Sequence, residues 1–262
     1  MSISICPLGS GSKGNSTVVK CGETVGLIDA GLPFPVLKTR LESVGVPLGA
    51  LSFVVLTHEH DDHIAALSEL ATAYDVPVYA NEETLRAARL KKEIPLKNAM
   101  EIGETPFYIG ALEFEPVKVS HDAANPYGYS VNDGFVRFSY ATDLGVMTDK
   151  IYNAFSESSL VMLESNHDRE MLFGGKYPEF LKRRIWGGRG HLSNDTCAET
   201  VVGLVEKGVN HVVLSHLSEE NNLPELAYFT TASALRECGA TKEDVRLTVA
   251  KQHAVTGFIE VK

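Results

Sequence analysis

The 262-residue chain is 44% hydrophobic and 22% charged, a globular composition that excludes a disordered, collagen-like or low-complexity protein. Its 24 Lys+Arg against 34 Asp+Glu give a net charge of −10, the wrong sign for coating nucleic acid through a general basic field. No apolar run approaches the ~20 residues that span a bilayer, and the opening MSISICPLGSGSKGNS lacks the basic and long apolar regions of an export signal. Cys6, Cys21, Cys197 and Cys238 are far apart with no CxxC spacing, so a reduced, cytoplasmic setting is expected.

In chain order, a strand-like run at 2–8 leads into a glycine-rich turn, Gly9 to Ser16, and a second strand at 17–20. Strands at 24–29 and 52–57 bracket a helical pattern at 33–44, and a helix at 63–73 leads to a strand at 76–80 and a helix at 82–91. Strands at 112–119 and 135–142 precede a helix at 148–156 and a strand at 159–164. Helices at 178–185 and 194–207, a strand at 211–216, a helix at 224–237 and strands at 246–250 and 257–261 complete the pattern. In the 194–207 segment Cys197, Val201, Leu204 and Val205 form one apolar stripe, and Gly208 is placed as a C-terminal stop. No linker, repeat or composition shift divides the chain, so one domain over 1–262 is expected, with two sheets carrying helices on their outer faces.

Directly after the apolar run SFVVLT comes His58-Glu59-His60-Asp61-Asp62-His63. A loop leaving a buried strand can direct several ligands to one point, and imidazole and carboxylate without thiolate suit Zn²⁺, Mn²⁺ or Fe. Four ligand groups in six residues exceed what one open catalytic ion takes from one segment, which favours two adjacent divalent ions. His121, Asp143 and His216 each follow an apolar strand run and can complete such a pair.

Together LIDAG around Asp29, the His58–His63 motif, VSHDA at His121, ATDLG at Asp143 and LSHLS at His216 resemble, in order, the five motifs of the metallo-β-lactamase fold. Within that superfamily GSGSKGNS, LESNHD and HLSEENN are similar to the nuclease-like YycJ (WalJ) group. The resemblance covers residues 1 to about 220 and implies a four-layer αββα sandwich, two mixed β-sheets flanked by helices, with metals at one edge. It implies that His58, His60 and His121 hold one ion, that Asp62, His63 and His216 hold the other, and that Asp143 bridges them. Asp62 is thereby also placed in the catalytic set. Asp29 would fix the tautomer of a ligating histidine by accepting its ring N–H; a strand-end turn residue is the plain alternative.

Two cations supply a nucleophilic water near neutral pH and neutralise the oxygens of the group attacked, so acyl and phosphoryl substrates both fit. Three features favour a phosphodiester in nucleic acid. First, Glu164 in LESNHD and His191 in GHLSNDT are similar to ribonuclease Z motifs in which a glutamate supports a histidine beside the scissile phosphate; Leu163 replaces the histidine of the first motif. A glutamate-held His191 could protonate the leaving oxygen, or simply satisfy a bond ahead of the helix from 194. Second, between Asn166 and His191, Arg169, Lys176, Lys182, Arg183, Arg184 and Arg189 stand against Asp168, Glu170 and Glu179, beside Tyr177, Phe180 and Trp186. Arg183, Arg184 and Arg189 suit phosphate contact there, although a solvated amphipathic helix would read the same. Third, Ser12, Lys13 and Asn15 in the glycine-rich turn could cradle an anion, where a plain hairpin turn is the alternative.

An exonuclease-like phosphodiesterase is the expected function. A hydrolase of a small ester, lactone or cyclic phosphodiester is the alternative, and a non-catalytic, metal-stabilised interaction protein the second. A glyoxalase-like thioesterase would carry a further helical domain, but only 46 residues follow His216. A β-CASP ribonuclease needs a large insertion, and 72 residues separate Asp143 from His216.

Overall fold

The computed structural model describes residues 2–262. The first seven-stranded sheet begins with β1 (Ile3–Gly9), β2 (Ser16–Cys21) and β3 (Thr24–Ile28), which pair antiparallel because short turns join them. Helical crossovers then add β4 (Phe53–Val55), β5 (Val78–Ala80) and β6 (Ala99–Glu101) in parallel. The second sheet reverses the scheme in space: β7 (Phe107–Ile109), β8 (Leu112–Lys118), β9 (Tyr127–Asn132) and β10 (Arg137–Ala141) form an antiparallel meander. β11 (Leu160–Glu164), β12 (His211–Ser215) and β13 (Arg246–Val249) extend it in parallel. The last strand, β14 (Ile259–Glu260), returns to pair with β1.

Ile3, Ile5, Phe53, Phe114, Tyr129, Phe138 and Tyr140 fill the space between the sheets, all with 0% exposure. The opposite face of the first sheet packs Leu27, Val54 and Leu56 against α1 (Phe34–Ser43), α3 (Leu67–Ala73) and α4 (Glu82–Lys91). The opposite face of the second packs Val161, Leu163, Val212 and Leu214 against α5 (Asp149–Phe155), α8 (Asn194–Glu206) and α9 (Pro224–Glu237). The result is the expected αββα order, with alternating strand residues supplying two cores from each sheet.

Most expected elements lie where the hydrophobic period put them. The helix expected at 63–73 is split into α2 (Asp61–Ile64) and α3, because the metal-motif loop turns into helix two residues earlier and breaks at Ala66. α6 (Arg169–Gly174), capped by Asp168 accepting from the Met171 N–H, was not expected, whereas α7 (Glu179–Trp186) was. β6 and β7 have three residues each, too few to show a period. β9 (YGYSVN) is buried on both faces despite its glycine, serine and asparagine, since Ser130 bonds Ser139 of β10 at 2.7 Å. No helix among the described residues is long and apolar enough to cross a membrane.

β3 and β4 run parallel in one sheet, as do β10, β11 and β12 in the other. The carboxyl ends of each set therefore open on one edge of the sandwich. Pairing of Ala141 with Leu163 and of Glu164 with Ser215 brings Asp143, Glu164 and His216 out side by side.

Candidate metal centre

Three residues that leave these strand ends, Asp29, Asp143 and His216, have left-handed backbones with φ of 59°, 56° and 53°. Such conformations cost non-glycine residues about 1–3 kcal/mol and persist where the surroundings demand them. Here they turn three side chains inward immediately beyond a strand. Gly31 supplies the close approach on the other side: a Cβ there would lie 1.6 Å from the Asp62 carbonyl oxygen, so no larger residue fits beneath the His58–His63 loop.

His58, His60 and His121 form one group of donor atoms, all within 4.8 Å of one another, and Asp62, His63 and His216 form another. His121 donates Nδ1–H to the Gly190 carbonyl at 3.2 Å, which leaves Nε2 facing His60 Nδ1 at 3.3 Å. His63 Nδ1 lies 2.8 Å from Asp29, which also accepts the Thr57 N–H and hydroxyl. His216 Nδ1 lies 2.6 Å from Glu164, while its backbone N–H donates to Ser10. In each case an acceptor on Nδ1 fixes the tautomer that presents an Nε2 lone pair to the centre. Asp143 stands between the groups, its Oδ2 3.0 Å from His63 Nε2 and its Oδ1 3.6 Å from His121 Nε2.

These residues fit divalent ions by a direct observation: His58 Nε2, His216 Nε2 and Asp143 Oδ2 are buried with no hydrogen-bond partner. Buried polar atoms are almost always satisfied, and three orphans converging within a nitrogen-oxygen donor set are what a cation would complete.

The electrostatics agree. Burial opposes ionisation of Asp143, yet His216 and His63 hold its carboxyl well below the usual carboxylate range. Burial likewise opposes charge on His216, but Asp143, Asp62 and Glu164 push it up to about 10. His63 is raised well above its ordinary value by Asp29, Asp62 and Asp143 against the effect of burial. Burial takes His58 well below, helped by charge on His63. Protons on these histidines and cations between them compensate the same carboxylates and therefore compete.

Glu164 is completely buried and accepts from His191 Nδ1 at 2.9 Å, from the Leu144 and Leu192 N–H groups at 3.1 and 3.0 Å, and from His216. Its oxygens are engaged by protein donors, so its place is behind the metal-facing ring. His191 has 18% of its side chain exposed, and among the described residues no protein group bonds its Nε2. Burial lowers the proton affinity of His191, but Glu164 and then Asp143 outweigh it and raise the ring above its ordinary value.

Of the expected phosphate contacts, Arg184 and Arg189 stand at the rim. Arg184 pairs with Asp122 through Nε at 2.6 Å and Nη2 at 3.2 Å, and Arg189 donates to the His121 carbonyl at 3.3 and 3.2 Å. Arg183 lies on the exposed side of α7. Lys182 departs from the cluster: it is buried and donates to the Phe173 carbonyl at 2.7 Å. The glycine-rich turn is also different from an anion cradle. Asn15 is wholly buried, bonding Gly11 at 2.9 and 3.1 Å and Asp62 Oδ2 at 3.3 Å, so it braces the metal loop rather than offering atoms to a substrate. Ser12 is exposed, and Lys13 reaches Glu219 at 2.6 Å.

The sequence reading missed Asp122, whose Oδ1 lies 3.3 Å from His121 Nε2, and Thr57, which links Asp29 to the ring of His58 at 3.0 Å. Each sits beside a histidine of the motif, a signal available in the sequence. It also missed a buried amide network: Asn222 donates to the Ser165 and Asn166 carbonyls at 2.9 and 3.0 Å, and Asn166 donates to the His216 carbonyl at 2.9 Å.

A family described as the beta-lactamase superfamily domain matches residues 26–217. The chain belongs to that superfamily, and within it to a family that includes two bacterial relatives. Exodeoxyribonuclease YycJ of Bacillus anthracis is 36% identical over 242 residues, covering 91% of each chain. Exodeoxyribonuclease WalJ of Streptococcus pneumoniae is 34% identical over 235 residues, covering 88% of this chain and 87% of that one. The crystal structure of the metallo-β-lactamase fold protein YhfI of Bacillus subtilis superposes with a TM-score of 0.74 at 19% identity, covering 99% of this chain and 100% of the other.

Proposed function

We propose that the chain is a dinuclear metal-dependent phosphodiesterase that degrades DNA from an end. His58, His60 and His121 would hold one ion, Asp62, His63 and His216 the other, and Asp143 both; Zn²⁺ and Mn²⁺ suit these donors, and Fe is compatible. When bound, the two ions supply an activated water and neutralise the oxygens of the attacked phosphate.

The observation that carries the reading is His191. Its Nδ1 lies 2.9 Å from Glu164 Oε1 and 3.5 Å from Asp143 Oδ1, and among the described residues no protein group bonds its Nε2. Negative charge behind an imidazole stabilises its protonated form, so Nε2 can donate to the alkoxide that leaves a phosphodiester. A resonance-stabilised leaving group has no need of that proton. Arg184, held by Asp122, and Arg189, held by the His121 carbonyl, adjoin the centre through His121 and would meet phosphates flanking the scissile one. The names of the two relatives support DNA and an end-dependent mode, and four free cysteines fit the reduced compartment expected.

The test is to give the metal-reconstituted protein end-labelled linear DNA, closed circular DNA, RNA of the same sequence, a lactone and a thioester. Metal-dependent release of mononucleotides from linear DNA is expected. Cleavage of closed circles, or faster turnover of the lactone or thioester, would contradict the reading.

A further inference from the structure

We propose that the groove between α9 and the open edge of β13 docks an extended acidic peptide of a partner protein. The groove encloses about 550 Å³ and is walled by Tyr228, Phe229 and Ala232 on one side and by the segment leading into β13 on the other. Phe229 is 63% exposed on this helix face. Arg236, Lys242 and Arg246 line the groove, and no carboxylate lines it with them. Among the described residues none of the three pairs with an acidic group. The adjacent Asp244 is turned onto Thr241, accepting its N–H and hydroxyl at 2.7 and 2.8 Å. Three uncompensated cations around an apolar floor are exceptional in a chain of net charge −10, and they select for an acidic occupant.

Main-chain geometry selects for a peptide. β13 is the outermost strand of its sheet. Arg246 donates its N–H to the Asn210 carbonyl and Ala250 donates to the Leu214 carbonyl, both at 2.8 Å. Main-chain direction alternates along a strand, so the N–H and C=O groups of Leu247 and Val249 point away from β12. An extended segment can pair with them while its alternate side chains enter the groove. The site is remote from the metal centre: Arg246 pairs with His211, at the opposite end of β12 from His216, roughly 16 Å away at about 3.3 Å per residue. A polyanionic substrate engaged at the metals has no need of this face.

The test uses the full-length, metal-loaded protein and a fluorescein-labelled hexapeptide of alternating glutamate and isoleucine, with the lysine-isoleucine peptide and a labelled oligothymidine as comparisons. Saturable anisotropy with the acidic peptide, and none with the lysine-isoleucine peptide, is expected. It should weaken at least tenfold in the triple variant Arg236→Glu, Lys242→Glu, Arg246→Glu and weaken as salt rises, with DNA degradation unchanged. Slowed hydrogen exchange at Leu247 and Val249 should accompany binding, a readout that the wild-type chain alone supplies. The proposal is overturned by absent saturable binding of the acidic peptide to wild type, by unchanged affinity in the triple variant, or by unaltered exchange at the two edge amides. Oligothymidine binding lost in the same variant would overturn it by assigning the cations to nucleic acid.

Discussion

Glu164 Oε1 lies 2.6 Å from His216 Nδ1, at the bottom of the cleft where β11 and β12 end. The same oxygen is 2.9 Å from His191 Nδ1. One buried carboxylate thus orients a ring of the candidate donor cluster, His216, and the ring proposed to move a proton, His191. Its own pKa follows: burial would raise it, but His191 and His216 pull it down to about 2.

Replacing Glu164 should therefore damage two functions at once. Glu164→Gln would lose the charge behind both rings and present amide hydrogens to the Leu144 and Leu192 N–H donors. Loss of such a supporting partner typically costs about 10-fold to 100-fold in metal affinity or activity, and both are expected to fall. Metal analysis beside DNA degradation checks this; normal metal content with normal rate would reject it.

The purified protein is expected to carry close to two divalent ions per chain. Asp143 faces both donor groups, whereas Asp29 touches only the His63 side. Asp143→Asn should consequently lower metal content more than Asp29→Asn. One ion or none per wild-type chain, with Asp143→Asn unchanged, would argue for a different centre.

Salt dependence addresses the rim. Each phosphate contact contributes about 0.7–0.9 to the slope of log affinity against log salt, so Arg184→Ala and Arg189→Ala should each reduce the slope for DNA by up to roughly that amount. Arg183→Ala, on the exposed side of α7, should change it less. Identical slopes in wild type and the Arg184/Arg189 double variant would leave these arginines with a purely structural role.

His211 provides a pH test away from the metals. Burial, helped by Arg246, lowers its imidazole to about 4. Between pH 6.5 and 4 the unfolded chain therefore binds more protons at this site than the folded one, and stability falls as pH falls through that window. His211→Asn should flatten the decline by about 1–2 kcal/mol, measured by urea unfolding at pH 7 and pH 4.5. A decline of equal steepness in the variant would show that the ring titrates normally in the fold.

The side chains that the fold gathers into the candidate centre were legible in the sequence because they are rare types placed directly after apolar strands, as with His58, His121, Asp143 and His216. Layer order followed from strand and helix periodicity for the same reason: burial enforces the pattern. What escaped depends on distances between segments remote in the chain. Nothing local marks Glu164 as a partner of His216, 52 residues on, or Asn15 as a brace for Asp62, 47 residues on. The glycine-rich turn read as an anion cradle because backbone N–H groups and hydroxyls look alike whether they face a ligand or a neighbouring loop. β9 escaped because Gly128 lies close against Tyr140 and Ala141 of the neighbouring strand and Ser130 bonds Ser139 there, a fit between strands that apolar alternation does not display.

The most direct measurement compares His191→Ala with wild type on two substrates, with metal content measured in the same samples. A DNA phosphodiester leaves as an alkoxide that needs a proton, whereas p-nitrophenolate from bis-p-nitrophenyl phosphate leaves as a stable anion. The expected result is full metal content, a loss of about 10²-fold to 10⁴-fold on DNA, and a far smaller loss on the nitrophenyl ester. Equal losses on both substrates with the metals retained would contradict the assignment of His191 as the proton donor.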